Sequence, residues 1–232
     1  MLITSKGIVL QSIKYGENSL ISHVLSEEKG LISLISSNRK SKKNKQGNFF
    51  QPLSAIQFVC YVSSKSNIHR VKELSYNNKI ALPSDDISIN AIRFFVAEFL
   101  SKVIKEEEQN FSLYHYIEDK VQELNSQKSA PPYFHISFLI ELMDILGIQP
   151  NLEEDALYFD LEEGECCAQK PTHPNFYDQK EIELYTIGEL NPRQLKKTER
   201  NKLLNMVLNY YSVQLGGLPN IKSKAVLEVI FE

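Results

Sequence analysis

Residues 20–35 read LISHVLSEEKGLISLI, two short apolar segments on either side of a polar pentapeptide that ends in Gly30. The two segments have the length and the apolar content of β-strands. Glycine adopts the positive φ that a tight connection requires, so the pentapeptide predicts a turn. We therefore expect an antiparallel β-hairpin here.

Further strands are predicted on both sides of this hairpin. Side chains of residues 56–63 alternate with a period of two, the apolar set being Ile56, Phe58, Cys60 and Val62. Another strand is predicted for residues 68–76. A further strand is predicted for residues 3–13, and Gly7 marks a place where that strand would bulge or bend. About five strands in so short a segment predict an antiparallel barrel of the OB-fold type, with a small sandwich or an SH3-like barrel as alternatives.

The pattern changes to helical spacing beyond Pro83. Helices are predicted for residues 89–103, with Ser88 as a cap, for residues 113–124, and for residues 131–146, which Gly147 would end. Asn191-Pro192 would open a long helix that reaches Leu215, and a short helix would follow around residues 225–230. Between them, residues 148–187 contain a strand-like segment at 157–161 and the adjacent Cys166 and Cys167.

Together these patterns predict an α+β protein of several domains. Residues 1–80 would form the five-stranded OB-fold barrel, and residues 81–147 and 188–232 an all-helical domain. Residues 148–187 would form a small insert that projects from the helices.

The composition excludes several classes of protein. The chain has 232 residues, of which 42% are hydrophobic and 24% charged, so collagen-like and disordered chains are excluded. Its apolar runs are far shorter than the roughly 20 residues of a membrane-spanning helix, and residues 1–4 do not resemble a secretory signal. Three cysteines do not make a disulfide framework. We expect a cytoplasmic protein without membrane contact.

Charge is distributed unevenly along the chain. The formal net charge is −3, yet residues 1–80 carry 12 Lys and Arg against 4 Glu, a balance of +8. The remaining residues carry 14 basic against 25 acidic side chains, a balance of −11. A basic module beside an acidic one suggests a polyanion-binding face attached to a second functional region.

The strongest local signal is a basic segment after a predicted strand, formed by Arg39, Lys40, Lys42, Lys43 and Lys45. Such side chains neutralise phosphates, and exposed aromatic rings on a barrel stack on bases. Candidate nucleic-acid contacts are therefore the basic segment together with Tyr15, Tyr61 and Arg70. The alternative is a solvated charged loop.

A second basic cluster opens the long C-terminal helix and consists of Arg193, Lys196, Lys197 and Arg200. At this spacing the four side chains would share one helical face. That face would either be solvated or bind an acidic or phosphate-bearing partner.

No catalytic constellation is recognisable. Phosphate-cradling glycine loops and Ser/His/Asp signatures are absent from the sequence, and the paired carboxylates suit solvated helix starts. Cys166, Cys167 and His173 are too few and too poorly spaced for a tetrahedral zinc site. We expect no enzyme activity, no cofactor and no metal.

Several motifs resemble the amino-terminal domain of the RecO family, bacterial DNA repair proteins and recombination mediators. They are Thr4-x-x-Gly7-Ile8-Val9-Leu10, Tyr15-Gly16-Glu17-x-Ser19-x-Ile21, Gly30, Arg39-Lys40-Ser41-Lys42 and Gln51-Pro52-Leu53. Weaker similarity continues in Leu146-Gly147 with Pro150, in Tyr158-Phe159-Asp160-Leu161 with Gly164, and in a terminal helix ahead of Leu227.

The resemblance implies an OB-fold followed by a helical domain with a zinc-binding or degenerate insert. It also implies a protein that binds single- and double-stranded DNA, anneals complementary strands and, with RecR, helps to load RecA. A further implied partner is the acidic carboxyl tail of single-stranded-DNA-binding protein, and the implied location is the nucleoid. Many members hold four cysteines in the insert, whereas this chain has two there, so a metal-free, degenerate zinc-finger-like insert is expected.

The mechanism we expect is electrostatic. The basic segment would follow the phosphate backbone while Tyr15 and Tyr61 contact bases, and charge neutralisation would let two strands anneal without ATP. The second basic cluster, beside Tyr210 or Tyr211, would receive an acidic peptide with a hydrophobic end. The rival from another class is a protein-interaction adaptor whose basic barrel binds no nucleic acid; a nuclease would need more carboxylates than the barrel supplies.

Overall fold

The computed structural model describes residues 1–37, 49–63, 66–82, 85–105, 108–153 and 155–231. Its contacts divide the chain into two compact units. Unit 1 consists of residues 1–130 and 221–227, and unit 2 of residues 131–220 and 228–232.

Unit 1 begins with a closed five-stranded barrel, as the period-two alternation predicted. The strands are β1 (Leu2–Tyr15), β2 (Ser19–Ser26), β3 (Gly30–Ser37), β4 (Ala55–Ser63) and β5 (Ser66–Tyr76). They follow the order β1-β2-β3-β5-β4, and β4 closes on β1. Only β3 and β5 pair in parallel, because an odd number of strands cannot close with every neighbour antiparallel.

The hairpin at residues 20–35 forms as predicted. Ser26 pairs with Gly30, which takes a φ of 65°. Beyond it, β2 and β3 remain in register to the pair Ser19 and Ser37. The inward side chains of the barrel form one apolar core, whose buried members include Val9, Val24, Leu34, Ile56, Phe58 and Cys60.

The expectation of a bulge at Gly7 is wrong, and the alternative of a bend there stays a prediction. Gly7 stays in register with Ser26 and Ile56, and the irregularity in the β1–β2 pairing lies between Val9 and Gln11. Gly7 is required by packing instead, because a Cβ atom there would collide with the side chain of Val24.

Unit 1 also contains the helices α1 (Ile87–Val103) and α2 (Phe111–Asn125), both close to their predicted positions. Asp86, not Ser88, caps α1, because its carboxylate accepts hydrogen bonds from the N–H groups of Ser88 and Ile89, each at 3.0 Å. Asn110 caps α2 through the N–H of Leu113 at 3.0 Å.

Unit 2 combines helices with a small three-stranded sheet. Its elements are α3 (Phe134–Ile145), β6 (Tyr158–Asp160), β7 (Glu165–Cys167), β8 (Phe176–Asp178), α4 (Gln179–Leu190) and α5 (Lys197–Gln214). The sheet order is β7-β6-β8, with antiparallel pairs. The strand predicted at residues 157–161 and the stop at Gly147, with a φ of 68°, are confirmed. The last helix, α6 (Lys224–Ile230), spans the boundary between the units.

The prediction of one long helix opening at Pro192 is wrong. Pro192–Gln194 forms a 3-10 turn, and α5 starts only at Lys197. Leu195 is extended, with a ψ of 131°, which separates the two helical segments. In the part of the chain that the structure describes, no helix is long and apolar enough to cross a membrane.

Candidate nucleic-acid interface

The five residues of the basic segment, Arg39, Lys40, Lys42, Lys43 and Lys45, lie outside the described residues. The description of β3 ends at Ser37 and the chain is described again from Phe49. The role of the basic segment in nucleic-acid binding therefore stays a prediction.

Tyr61 and Arg70 face each other across β4 and β5 on the outside of the barrel. They are directly paired in the strand register, and both side chains are exposed, that of Tyr61 by 50%. Paired residues on neighbouring strands point to the same side, with Cβ atoms about 5 Å apart. An aromatic ring and a guanidinium group side by side can contact a base and its phosphate.

The strand register connects this pair to the far side of the barrel. Arg70 pairs with Ile35, Ile35 with Ile21, and Ile21 with Ile13. At about 4.8 Å between strands, this row spans about 14 Å. We call it the outer band; it comprises Tyr61, Arg70, Ile35, Ile21, Ile13 and Tyr15, which lies two residues beyond Ile13 on the same face.

Tyr15 also lies near the origin of the basic segment. It ends β1, is 59% exposed, and pairs with Ser19, which in turn pairs with Ser37. Two strand spacings, about 10 Å, therefore separate Tyr15 from Ser37, which lies two residues before the basic segment. Tyr61 and Arg70 therefore lie side by side on the outside of the barrel, whereas Tyr15 lies on its outside at the other end of a row that passes through all five strands.

A cavity of about 450 Å³ lies beside β3 and β5 of the same barrel. Its wall includes Lys29, Lys105, His23 and His69. The sequence does not indicate that these residues lie together, because Lys29 lies in a predicted hairpin turn and Lys105 follows a predicted helix. Their proximity depends on strand pairing between distant segments, which leaves no local signal.

The second basic cluster does not form a single helical face. Arg193 lies in the 3-10 turn and Lys196 directly precedes α5, so only Lys197 and Arg200 are helical. Arg193 donates a hydrogen bond from Nε to the Tyr133 hydroxyl at 2.9 Å, with its guanidinium carbon 5.8 Å from the centre of that ring. Arg200 donates to the Leu195 carbonyl oxygen at 2.7 Å.

Tyr210 and Tyr211 cannot form the predicted aromatic wall of this cluster, because both are buried. The Tyr211 hydroxyl donates to the Leu139 carbonyl oxygen at 2.7 Å within unit 2. Tyr133 and the 77% exposed Leu190 are the aromatic and apolar side chains available near Arg193. His135 of unit 2 is buried. Burial and the positive charge of Arg200 lower the pKa of His135 to about 3, so its ring is neutral at pH 7.

In the insert, His173 is engaged with carboxylates and Cys166 with the backbone. The His173 Nε2 lies 3.0 Å from Asp160 Oδ2, and the Cys166 sulfur accepts a hydrogen bond from the Glu153 N–H at 3.3 Å. Burial raises the pKa of Asp160, but the N–H groups of Glu163 and Glu162 and the His173 ring outweigh it and leave the pKa below its usual value. Among the described residues, no group of three or more His, Cys, Asp or Glu side chains is arranged to hold a metal ion.

Comparison with known proteins gives matches along nearly the whole chain. The family model for the recombination protein O N-terminal domain matches residues 1–78, and the C-terminal model matches residues 84–225. A DNA repair protein RecO of Azobacteroides pseudotrichonymphae is 32% identical over 242 residues, with both chains covered completely. Proteins of the same name from Phocaeicola vulgatus and Flavobacterium psychrophilum are each 30% identical, again over 100% of both chains.

Proposed function

The chain belongs to the RecO family of DNA repair and recombination proteins, and we propose that it acts as a non-enzymatic recombination mediator. In this role it binds single- and double-stranded DNA, anneals complementary strands, and helps to load RecA onto DNA coated with single-stranded-DNA-binding protein. RecR and single-stranded-DNA-binding protein are the direct protein partners of this proposal, and the nucleoid is its site of action.

The observation that carries the proposal is the outer band in a barrel of family-typical sequence. Tyr15 and Tyr61 offer exposed rings, and Arg70 lies directly beside Tyr61. Between them, the side chains of Ile13, Ile21 and Ile35 form an apolar surface on which unstacked bases can lie. Stacking and backbone contact of this kind do not depend on base sequence.

Annealing follows from charge neutralisation. Two DNA strands repel each other through their phosphates, and a basic surface that releases counterions reduces this repulsion. The basic segment, which begins two residues after Ser37, supplies five positive charges for this purpose. Bases on the outer band remain exposed on one side, so a complementary strand can pair with them without ATP.

The second basic cluster is proposed as the site for the acidic carboxyl tail of single-stranded-DNA-binding protein. Arg193, Lys196, Lys197 and Arg200 supply the positive charge. The hydrogen bond from Arg193 to Tyr133 holds the guanidinium group in place, and Leu190 offers an apolar contact for the hydrophobic end of the peptide. Charge-assisted hydrogen bonds to carboxylates make such a site selective for acidic peptides.

The test of DNA binding is fluorescence anisotropy with a labelled single-stranded oligonucleotide. Tyr61→Ala should weaken binding by about 5- to 100-fold, since stacking on one ring contributes about 1–3 kcal/mol. Tyr61→Phe keeps the ring and should bind like wild type, and Arg70→Lys should bind better than Arg70→Ala. Equal affinity of Tyr61→Ala and Tyr61→Phe would contradict stacking at this position.

One observation favours the adaptor as the second candidate. Leu2, Ile13 and Ile68 are exposed apolar residues on the barrel, and such a surface also suits a protein interface. Salt separates the two functions, because phosphate binding weakens steeply with ionic strength and an apolar interface does not. A well-folded protein that binds no DNA at low salt would favour the adaptor.

A further inference from the structure

We infer that the cavity beside β3 and β5 holds one phosphorylated nucleotide unit of single-stranded DNA, with the phosphate between Lys29 and Lys105. This inference rests on the proposed DNA-binding function and assigns it a specific pocket. The cavity belongs entirely to unit 1.

The cavity exists because β3 and β5 pair over a short distance only. Their parallel ladder runs from the pair Ser33 and Ile68 to the pair Ile35 and Arg70. Leu31 and Ile32 on β3, and Ser66 and Asn67 on β5, precede this ladder and line the cavity. The cavity therefore lies where the described segments of the two strands are not paired.

The volume and the apolar side of the cavity suit a nucleotide. About 450 Å³ falls within the range of roughly 300–1,000 Å³ that small-molecule pockets occupy. Ile3, Ile32 and Val62 line it and belong to, or pack against, the barrel core. They provide an apolar surface for the base or the sugar.

The charged side of the cavity requires an anion. Lys29 and Lys105 line it, and its described lining contains no carboxylate. In the part of the chain that the structure describes, neither lysine forms an ion pair. Other lysines of unit 1 do, with Lys6 3.2 Å from Glu27 and Lys102 2.7 Å from Glu98. Two lysines at one pocket whose described lining holds no carboxylate favour a phosphate group.

A buried polar atom of the lining lacks a partner. The Nδ1 of His69 is shielded from solvent and has no hydrogen-bond partner among the described residues. A buried polar atom left unpaired costs about 1–3 kcal/mol. The His69 ring lines the cavity, so a small rotation of the ring would bring Nδ1 to a ligand that supplies the missing bond. The nearby His23 ring is held by the Ser33 hydroxyl at 3.0 Å, which fixes its orientation.

The combined chemistry selects a nucleotide over a simple anion. Inorganic phosphate would use the lysines and leave the apolar wall and the His69 nitrogen unoccupied. A nucleotide offers a phosphate, an apolar sugar face and a base with hydrogen-bonding edges. Because the outer band lies on the same barrel, a DNA strand supplies such units in series, with one of them seated in the cavity.

The experiment compares the Lys29→Ala/Lys105→Ala double variant with wild type and a matched control. The control, Lys79→Ala/Lys128→Ala, removes the same charge from exposed lysines of unit 1 outside the cavity. Anisotropy measures binding of a labelled oligonucleotide of thymidines, and competition measures binding of thymidine monophosphate and of inorganic phosphate. Histidine labelled with ¹⁵N reports the His69 ring by nuclear magnetic resonance.

We expect thymidine monophosphate to compete with the oligonucleotide and to shift the His69 ring signals, whereas inorganic phosphate competes at least tenfold less well. The cavity variant should lose about tenfold or more in affinity for both nucleotide ligands, since each lysine supplies a charge-assisted contact, and Lys29→Arg/Lys105→Arg should restore it. The control variant should bind close to wild type.

The contrary results are distinguishable. If wild type binds the oligonucleotide but the cavity variant binds as the control does, the inference is wrong and the proposed function stands. Equal competition by inorganic phosphate and the nucleotide would replace the nucleotide site by a simple anion site. Wild type that binds no oligonucleotide would overturn the proposed function and the inference with it.

Discussion

Glu98 on α1 accepts four hydrogen bonds. Its Oε1 accepts from Lys102 Nζ at 2.7 Å and from the Lys222 N–H at 3.0 Å. Its Oε2 accepts from the N–H and the hydroxyl of Ser223 at 2.8 and 2.6 Å. Burial raises the pKa of Glu98, but these hydrogen bonds outweigh it and lower the pKa to about 2. One side chain thus fastens residues 222–223 to the first helix of the unit.

Replacing this carboxylate gives a stability prediction with a defined pH range. Glu98→Gln should lower the free energy of unfolding near neutral pH by about 2 kcal/mol, since hydrogen bonds to a charged group are lost. The folded pKa is depressed from 4.5 to about 2, so the contribution is complete above pH 4.5 and disappears as the pH falls toward 2. Urea unfolding followed by circular dichroism measures the free energy of unfolding, and the difference in it between wild type and variant should become smaller over that pH range.

The matched control for this prediction is Glu123→Gln on α2. Glu123 is half exposed and pairs with Lys120 at 3.2 Å, so its loss should change stability by less than about 0.5 kcal/mol. A gap between Glu98→Gln and wild type that stays constant from neutral to acid pH would show that the charge of Glu98 does not stabilise the fold.

At the scale of elements, β1 depends on a glycine for close packing. A Cβ atom at position 7 would overlap Val24, and would lie 3.1 Å from Phe58 Cε1 and 3.2 Å from the Leu25 carbonyl oxygen. Val24 is β-branched and stiff, and the Leu25 oxygen is backbone, so neither neighbour yields easily. This explains a glycine within a 14-residue strand, where it otherwise costs stability.

We expect Gly7→Ala to destabilise the barrel by about 1–3 kcal/mol through overpacking. The gain of about 0.4–1 kcal/mol from restricting the unfolded chain is smaller and does not compensate. Thermal unfolding measures the difference. Gln11→Ala, at an exposed position of the same strand, is the control and should stay within about 0.5 kcal/mol of wild type. A Gly7→Ala protein as stable as that control would refute the packing argument.

Helices and strands whose apolar residues recur with a clear period could be predicted from the sequence. Those whose position depends on contacts with distant segments could not. The alternation at Ile56, Phe58 and Cys60 indicated β4 directly, because each of these side chains faces the core. Helix α4 has no clear apolar face and was missed, although Asp178 and Glu181 form a capping box that signals its start. The break before Lys197 was missed because the Asn191-Pro192 pattern suits a 3-10 turn as well as an α-helix.

The candidate site was predictable to a smaller extent. Tyr15, Tyr61 and Arg70 were named as candidates from composition and residue type, and the strand register leaves all three on the outside of the barrel. Lys29 and Lys105, by contrast, are 76 residues apart in the chain. Only the closure of the barrel and the position of α1 bring them to one cavity, and no sequence period encodes that contact.

At the scale of the whole molecule, the uneven charge distribution agrees with the proposal that different units bind different partners. The basic segment and the outer band belong to the first 80 residues, with their balance of +8, and the second basic cluster belongs to unit 2. On the proposed function, electrostatic attraction between unlike charges would bring DNA to the first region, whereas an acidic peptide would need a local basic cluster within an otherwise acidic one.

If the two sites are independent, their variants should be separable. The first variant replaces Arg39, Lys40, Lys42 and Lys43 by Glu, and it should bind DNA more weakly. Each phosphate contact on single strands contributes roughly 0.7 to the slope of log affinity against log salt, so the loss of four contacts should reduce that slope by about 3.

The second variant replaces Arg193, Lys196 and Lys197 by Ala. It should bind an acidic peptide with a hydrophobic end more weakly and leave DNA binding unchanged. The combined variant should then show both losses additively, because the effects of changes at independent sites add. Anisotropy titrations of labelled oligonucleotide and labelled peptide over a range of salt give all of these values. A salt slope unchanged by the first variant would remove the basic segment from the DNA interface, and loss of DNA binding in the second would make the two sites one.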